Sequence, residues 1–266
     1  MQKPFPYIGG KRYLADTILS KMPDHRYYYE PFLGGGSVFF KKETRTNYSF
    51  LSDKNKELIN FYKVIHLGDI DAMMAHLYQF PISNKGFTEV FRMEFFTHEH
   101  HKRAARLFYL QSLAYSGCTV YHDKRTSKGK AERFKKKLSH KENIKIKFHL
   151  LREHIKNHKA LFVKTDFENT LNLASENGKE AFVYLDPPYF QTQKENSIYY
   201  PVRFGIEDHR RLRDILWSAK FNYILSLPHE QFVHELYKGF KAELVHTRHV
   251  SRDNRAEKIE VLISNF

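Results

Sequence analysis

Ala181-Phe182-Val183-Tyr184-Leu185-Asp186-Pro187-Pro188-Tyr189 is the stretch of this 266-residue chain that decides its fold. Its five apolar residues have the length and continuity of a strand buried on both faces, as in a parallel sheet. The two prolines end the strand, because neither can donate a hydrogen bond to a neighbouring strand. Asp186 and Tyr189 then stand at the carboxyl end of the strand, where open α/β sheets bind ligands. The pattern indicates either hydrogen-bond acceptors beside an aromatic ring, suited to a planar amino group, or a plain strand end with a packed tyrosine.

Strands and helices alternate on either side of this stretch, so the sequence predicts an α/β fold. Apolar runs and turn residues predict strands over 27–32, 50–53, 181–185, 223–227, 243–250 and 258–266. Helical spacing of apolar residues predicts helices over 54–66, within 70–117 and over 207–220. The last two strands are expected to be antiparallel. The whole indicates a sheet domain that is split in the sequence by a helical, basic insertion.

The charge of the chain is concentrated in one segment. The formal net charge is +14, and residues 124–159 alone carry 14 basic and 3 acidic side chains. Such a segment on a nearly neutral body indicates a polyanionic partner, although a solvated basic helix would look the same. The single cysteine, Cys118, cannot form an internal disulfide, which suits a reducing compartment. No apolar run reaches the roughly 18–20 residues of a membrane span.

Two further segments place functional groups at strand ends. Glu30-Pro31-Phe32-Leu33-Gly34-Gly35-Gly36-Ser37 is a glycine turn that can bring the backbone close to a ligand or form an ordinary tight turn. It is not a P-loop, because no Gly-Lys-Ser/Thr follows. Asp53 ends the second predicted strand, where a carboxylate can accept hydrogen bonds from ribose hydroxyls or cap the next helix.

Four segments of the sequence together resemble the motifs of a known family. They are Tyr7-Ile8-Gly9-Gly10-Lys11, the glycine turn extended to Phe39, Leu51-Ser52-Asp53-Lys54-Asn55 and Asp186-Pro187-Pro188-Tyr189. They resemble, in the same order, the motifs of the Dam-like (D12 class, alpha group) DNA adenine-N6 methyltransferases. The resemblance implies a Rossmann-like, S-adenosylmethionine-dependent methyltransferase sheet with a helical, basic DNA-recognition insertion. It implies a discontinuous catalytic domain at 1–56 and 160–266 and a target-recognition insertion at 57–159.

The resemblance also implies roles for particular residues. Those expected to bind S-adenosylmethionine are Tyr7, Lys11, Glu30, Phe32, Gly34, Gly36, Asp53 and Asp186. Those expected at the reacting amine are Asp186, Pro187, Pro188 and Tyr189, with Tyr189 stacked on a flipped base. Those expected to contact DNA are Tyr115, Tyr121, Lys124, Arg125, Lys128, Arg133, Lys135, Lys136 and Lys137. No metal is expected, because His98-Glu99-His100-His101 lacks the HExxH spacing.

The activity implied is methyl transfer to adenine N6 in DNA, after the base has left the duplex. A cytosine-N4 methyltransferase and a DNA-binding relative without catalysis stay as alternatives; enzymes acting on RNA or on glutamine amides usually carry asparagine where Asp186 stands. The resemblance further implies a cytoplasmic monomer, bacterial or phage-encoded, acting on double-stranded DNA and not on membranes. The recognition sequence stays open, because Ser116 stands where the GATC-specific branch has asparagine. Whether a restriction endonuclease accompanies the enzyme also stays open.

Overall fold

The computed structural model describes residues 3–7, 9–11, 13–114, 128–189, 204–248 and 257–266. These residues form one seven-stranded sheet. Its strands are β1 (Tyr27–Glu30), β2 (Tyr48–Asp53), β3 (Ala160–Lys164), β4 (Ala181–Leu185), β5 (Asn222–Pro228), β6 (Lys241–Arg248) and β7 (Glu257–Ser264). Their order across the sheet is β3-β2-β1-β4-β5-β7-β6. The predicted α/β class and Rossmann-like sheet are therefore confirmed.

The described part of the chain also forms ten α-helices. They are α1 (Ala15–Lys21), α2 (Lys56–Leu67), α3 (Ile70–Gln79), α4 (Asn84–Arg92), α5 (His100–Leu113), α6 (Lys128–Ser139), α7 (Lys141–Asn157), α8 (Phe167–Glu176), α9 (Ile206–Trp217) and α10 (Gln231–Leu236). Side chains cap the N-termini of several helices. Asn55 accepts hydrogen bonds from two N–H groups of α2, and Asp69 does the same for α3. Among the described residues, no helix combines the length and the apolar character that a membrane crossing requires.

The sheet topology creates one ligand-binding edge. Strands β3, β2, β1, β4 and β5 are parallel, and β7 pairs antiparallel with both β5 and β6. The chain moves from β1 toward β3 on one side and from β4 toward β5 on the other, so the strand order reverses between β1 and β4. We call the carboxyl ends of these parallel strands the carboxyl edge and their opposite ends the amino edge. Ligands are expected at the carboxyl edge, at the point of reversal.

Helices cover both faces of the sheet, and the central strand β4 shows why. Phe182 and Tyr184 belong to a cluster with apolar residues of α1–α7, whereas Ala181, Val183 and Leu185 belong to a second cluster with α8, α9 and α10. All five residues are buried, because successive side chains of a strand point to opposite faces. The continuous apolar run in the sequence therefore reports two covered faces, as predicted.

The structure differs from the sequence prediction in several elements. The strand over 27–32 ends at Glu30, since Pro31 has no N–H to donate. The glycine turn is followed by a short 3₁₀ helix, Phe39–Lys41, which the sequence did not predict. Strand β3 and helix α8 were absent from the prediction. The division of the chain into a catalytic domain and an insertion, at 56/57 and 159/160, stays a prediction. Helices α2–α7 of the predicted insertion pack in the larger apolar cluster together with Phe5 and Tyr28 of the predicted catalytic domain.

Candidate active site

A pocket opens at the carboxyl edge where the strand order reverses, with about 840 Å³ of empty space. That figure includes solvent space at the open mouth of the pocket. The residues that line it come from the N-terminal segment, the glycine turn, the ends of β2 and β4, and the starts of α8 and α9. Those predicted from the sequence are Tyr7, Lys11, Glu30, Phe32, Gly34, Asp53, Asp186 and Pro188. The structure thus gathers residues from four distant motifs around one space.

Lys11 is the charged centre of this pocket. Its side chain is 5% exposed, and its Nζ donates to Asp186 Oδ1 at 2.7 Å. Nζ also lies 3.8 Å from Glu260 Oε2. Burial by itself would lower the pKa of Lys11, but the charges of Asp186 and Glu260 outweigh it and raise the pKa above its ordinary value. Lys11 therefore stays protonated and fixes one oxygen of Asp186 at the end of β4.

Tyr189 joins the same group from the far side of the two prolines. Its hydroxyl donates to both carboxylate oxygens of Glu260 at 3.0 Å and accepts a hydrogen bond from Lys11 Nζ. The ammonium group of Lys11 also lies 4.5 Å from the centre of the Tyr189 ring, within the range of a cation–π contact. The tyrosine that the sequence placed beside Asp186 is thus held at its hydroxyl end as well as by the chain.

The glycine turn is packed tightly against Tyr7. Gly34 has φ +47°, a left-handed conformation that favours glycine, and a Cβ there would lie 2.9 Å from the Tyr7 ring. Asp53 accepts hydrogen bonds from the N–H groups of Gly34 at 3.0 Å and Asn55 at 2.8 Å. The Tyr62 hydroxyl donates to the Gly34 carbonyl at 3.1 Å. Asp53 therefore holds the turn in place in addition to facing the pocket.

Two carboxyl groups beside the turn have raised pKa values. Burial raises the pKa of Glu30 to about 8, and the nearby charges of Asp186 and Asp53 add to the rise. The hydroxyl of Tyr28 donates to Glu30 at 2.8 Å and works in the opposite direction. Burial also raises the pKa of Asp53 to about 6, against its two backbone N–H partners. Perturbed pKa values in a pocket are typical of functional sites.

The proline corner is anchored by a histidine that the sequence did not identify. His209, on α9, is 1% exposed, and its Nε2–H donates to the Pro188 carbonyl at 3.2 Å. Burial lowers the pKa of His209 to about 4, so the imidazole is neutral near pH 7. A carbonyl away from water needs a hydrogen-bond donor, and His209 supplies one to Pro188.

Aromatic rings form the apolar wall of the pocket. The Phe32 ring stacks on Phe167 with centres 5.5 Å apart, and Phe204 meets Phe32 edge-on at 5.3 Å. Phe204 in turn lies edge-on to His209 at 4.7 Å. The sequence predicted Phe32 alone. Phe167 is the first residue of α8 and Phe204 lies two residues before α9, so only their packing reveals them. This wall suits the apolar part of a ligand whose polar groups face the acidic side.

Some predicted site residues lie outside the lining of the pocket. Gly36, Pro187 and Tyr189 are described but are not among the lining residues. Gly36 has φ +63°, and a Cβ there would lie 2.7 Å from the Phe40 ring. Glu260 is the main polar residue that sequence reasoning missed. A charged residue inside the apolar run of the last predicted strand was the available signal, but its meaning depends on which strand it joins.

The predicted DNA-contacting residues are described only in part. Tyr115, Tyr121, Lys124 and Arg125 lie outside the described residues, as does the side chain of Lys128. Helix α6 packs through buried Ala131, Phe134 and Leu138, which leaves the predicted basic residues Arg133, Lys135, Lys136 and Lys137 exposed. Two of these make contacts on the protein: Lys135 lies 3.7 Å from Glu132, and Lys137 Nζ lies 5.1 Å from the centre of the Phe108 ring.

The histidine-rich segment at the start of α5 makes structural contacts. The ring of His100 bonds to Asn60 at 2.7 Å, and His101 Nε2 accepts the N–H of Asp69 at 3.0 Å. Glu99 accepts the N–H of Phe96 at 2.8 Å. These side chains therefore bind to different elements around α5.

Strand β7 is antiparallel and lies between β5 and the outermost strand β6. Such a sheet, with a glycine turn and an acidic corner where the strand order reverses, defines a Rossmann-like methyltransferase. The model of the D12 class N6 adenine-specific DNA methyltransferases matches residues 7–251, and the chain belongs to this family. The membership supports methylation of adenine in DNA over the cytosine-N4 alternative. It also supports a methyl donor as cosubstrate and DNA as substrate.

Individual relatives agree with the family match. The chain is 28% identical over 282 aligned positions to the Type II methyltransferase M1.LlaDCHI of Lactococcus lactis subsp. cremoris, covering 99% of this chain and 95% of that protein. It is 30% identical over 213 positions to the DNA adenine methylase of Serratia marcescens, covering 77% and 74%. It is 27% identical over 274 positions to the DNA adenine methylase of Salmonella typhi, covering 98% and 93%.

Proposed function

We propose that this enzyme transfers a methyl group from S-adenosylmethionine to N6 of an adenine that has been flipped out of double-stranded DNA. The observation that carries the proposal is the Asp186 carboxylate, fixed by buried Lys11 at the end of β4 and facing the pocket. An acceptor held in this way can bind an exocyclic amino group. Asp186 also lines the pocket, so its carboxylate can meet a substrate amino group there.

The residues of the pocket fit the proposed methyl donor. The aromatic wall suits an adenine ring, and Asp53 keeps acceptor capacity for ribose hydroxyls beyond its two N–H partners. The glycine turn at Gly34 allows the backbone to approach the ligand closely. When bound, S-adenosylmethionine would supply an electrophilic methyl group from its sulfonium centre. Acidic groups nearby favour that positive charge over a neutral ligand.

The chain contributes positioning and charge to the reaction. Adenine N6 is a weak nucleophile because its lone pair is delocalised into the ring. Hydrogen bonds from the amino group to Asp186 and to the Pro187 carbonyl would localise this lone pair, and the Tyr189 ring would stack on the base. The carboxylate also offsets the positive charge that develops on N6. Alignment of the reacting atoms supplies much of the acceleration, and no covalent enzyme intermediate is needed.

Replacement of Asp186 tests this proposal. Asp186→Asn keeps the shape of the side chain but removes its charge, so kcat for labelled methyl transfer to duplex DNA should fall at least about 10²- to 10³-fold. Asp214→Asn, at an exposed position on α9, is the matched control and should keep wild-type activity. Equal methyl transfer by the Asp186→Asn variant and the wild type would contradict the assignment.

We further propose that α6 contacts the DNA backbone through its exposed basic face. Removing two phosphate contacts should reduce the slope of log K against log salt by about 2. The double variant Arg133→Ala/Lys136→Ala is expected to show this reduction in a titration with duplex DNA. Lys179→Ala/Lys238→Ala removes the same charge from exposed positions elsewhere and should leave the slope unchanged. Equal slopes for the two double variants would refute a role for α6.

The remaining expectations on assembly and context are also proposals. The family and the basic face support a monomeric, cytoplasmic enzyme that recognises a specific duplex sequence. The Lactococcus relative is named a Type II methyltransferase, which supports a companion restriction endonuclease, whereas the Serratia relative is named a DNA adenine methylase. Mapping modified adenines in the DNA of cells that express the enzyme would give its recognition sequence.

A further inference from the structure

Glu260 is a buried carboxylate on the antiparallel strand β7, far in the sequence from the glycine turn and the proline corner. It is 4% exposed and pairs in register with Pro228, the last residue of β5. This places it at the carboxyl edge, although its own strand runs the opposite way. Burying a carboxylate is unfavourable unless partners compensate for the lost hydration. Packing against the sheet therefore does not by itself explain an acid at this position.

The contacts of Glu260 point to Tyr189. Both of its carboxylate oxygens lie 3.0 Å from the Tyr189 hydroxyl, whereas Lys11 Nζ is farther away at 3.8 Å. Lys11 makes its shorter ion pair with Asp186, at 2.7 Å. Lys11 is thus neutralised mainly by Asp186, and of these two partners the tyrosine hydroxyl lies nearer to Glu260 than Lys11 does.

Holding the hydroxyl has a mechanical consequence for the Tyr189 ring. The two prolines restrict the backbone that leads to Tyr189, but a tyrosine side chain still turns about two bonds. A hydrogen bond at the far end of the ring removes this freedom, because it fixes the second end of a rigid plate. The plane of the ring is then set by the proline corner at one end and by Glu260 of β7, together with Lys11, at the other.

We propose that Glu260 is a positioning residue for methyl transfer, which holds the Tyr189 hydroxyl and thereby sets the ring that stacks on the target base. The inference rests on the proposed function, because only there does Tyr189 meet a base. Glu260 is not among the described residues that line the pocket. Its loss should therefore affect turnover and DNA binding more than binding of the methyl donor.

A double-mutant cycle tests the inference. Glu260→Gln keeps the volume but loses the charge and one acceptor oxygen, and Tyr189→Phe keeps the ring but loses the hydroxyl. Each should lower kcat/KM for DNA about tenfold, and the combined variant should be no more than about twofold worse than Tyr189→Phe. The Kd of S-adenosylmethionine should change less than about threefold in all three. The control is Glu243→Gln on the neighbouring strand β6. It breaks an exposed ion pair with Lys21 of α1 and should behave as wild type.

Several results would overturn the inference. They are wild-type kinetics for Glu260→Gln, losses that multiply in the combined variant, or a loss in donor affinity that accounts for the whole effect. Melting temperatures measured beside the kinetics identify a variant that merely unfolds, and Tyr189→Phe then reports on the hydroxyl alone. A wild-type enzyme without methyl transfer to DNA would instead defeat the proposed function, and this inference with it.

Discussion

The carboxyl and amino edges of the sheet both bury ionisable side chains, but in opposite ways. At the carboxyl edge, Lys11 lies among Asp186, Glu260 and the Tyr189 hydroxyl, around an open pocket. At the amino edge the buried groups are all basic, and we call them the amino-edge basic cluster: His25, Lys42, His154 and His158. Mixed charges around an opening indicate a binding site.

Burial in the amino-edge basic cluster suppresses charge. Lys42 is 1% exposed, and burial lowers its pKa to about 8. The rings of His154 and His158 stack with centres 4.0 Å apart, and His154 Nε2–H donates to the Phe39 carbonyl at 2.9 Å. These groups bond to main-chain carbonyls, as structural residues do. Burial of a titratable group is thus weak evidence of function unless opposite charges and an opening accompany it.

The largest expected effect comes from removing the charge at the centre of the carboxyl edge. Lys11→Met leaves buried Glu260 and partly buried Asp186 without their shared counter-ion, so the free energy of unfolding should fall by about 3–5 kcal/mol. Lys21→Met removes the same kind of charge from an exposed pair with Glu243 and should cost less than about 1 kcal/mol. Denaturant titrations of both variants provide the measurement. Equal losses would erase the difference between the two kinds of pair.

A second test compares two left-handed glycines, one at each edge. Gly34 (φ +47°) lies at the carboxyl edge, and Gly178 (φ +51°) lies just before β4 at the amino edge. A Cβ on Gly178 meets nothing within 4 Å, so Gly178→Ala should cost only the backbone strain of about 1–2 kcal/mol. Gly34→Ala adds a clash with Tyr7 and should cost about 2–3 kcal/mol, with weaker donor binding. Thermal melts and donor titrations would show whether the two glycines differ.

The smallest expected effect is a pH dependence that arises at the amino edge. Burial, with help from His158, lowers the pKa of His154 to about 4, against about 6.5 in the unfolded chain. Between these values the unfolded state binds the proton more strongly, so stability falls as the pH drops from 6.5 toward 4. His154→Gln should remove about 2 kcal/mol of that fall and change little at pH 8. His149→Gln, exposed on the same helix, should keep the wild-type slope; an unchanged slope in His154→Gln would refute the assignment.

Local patterns in the sequence predicted the parts of the site that local chemistry determines. The apolar run before Asp186, the glycine turn and Asp53 at the end of β2 each carry their own signal, and the structure brings them to one pocket. Glu260 and His209 could not be found in this way. Their positions depend on the pairing of β7 with β5 and on the packing of α9, which are long-range results of folding. Strand β3 was missed for a similar reason, since Leu161 is exposed and the basic helix α7 precedes it directly.

The most direct test of the account is the chemical identity of the methylated product. Duplex DNA incubated with the wild-type enzyme and labelled S-adenosylmethionine would be digested to nucleosides and separated by chromatography with mass detection. The account predicts label in N6-methyldeoxyadenosine and its loss in the Asp186→Asn variant. Label in N4-methyldeoxycytidine, or equal label in adenine from both proteins, would contradict it.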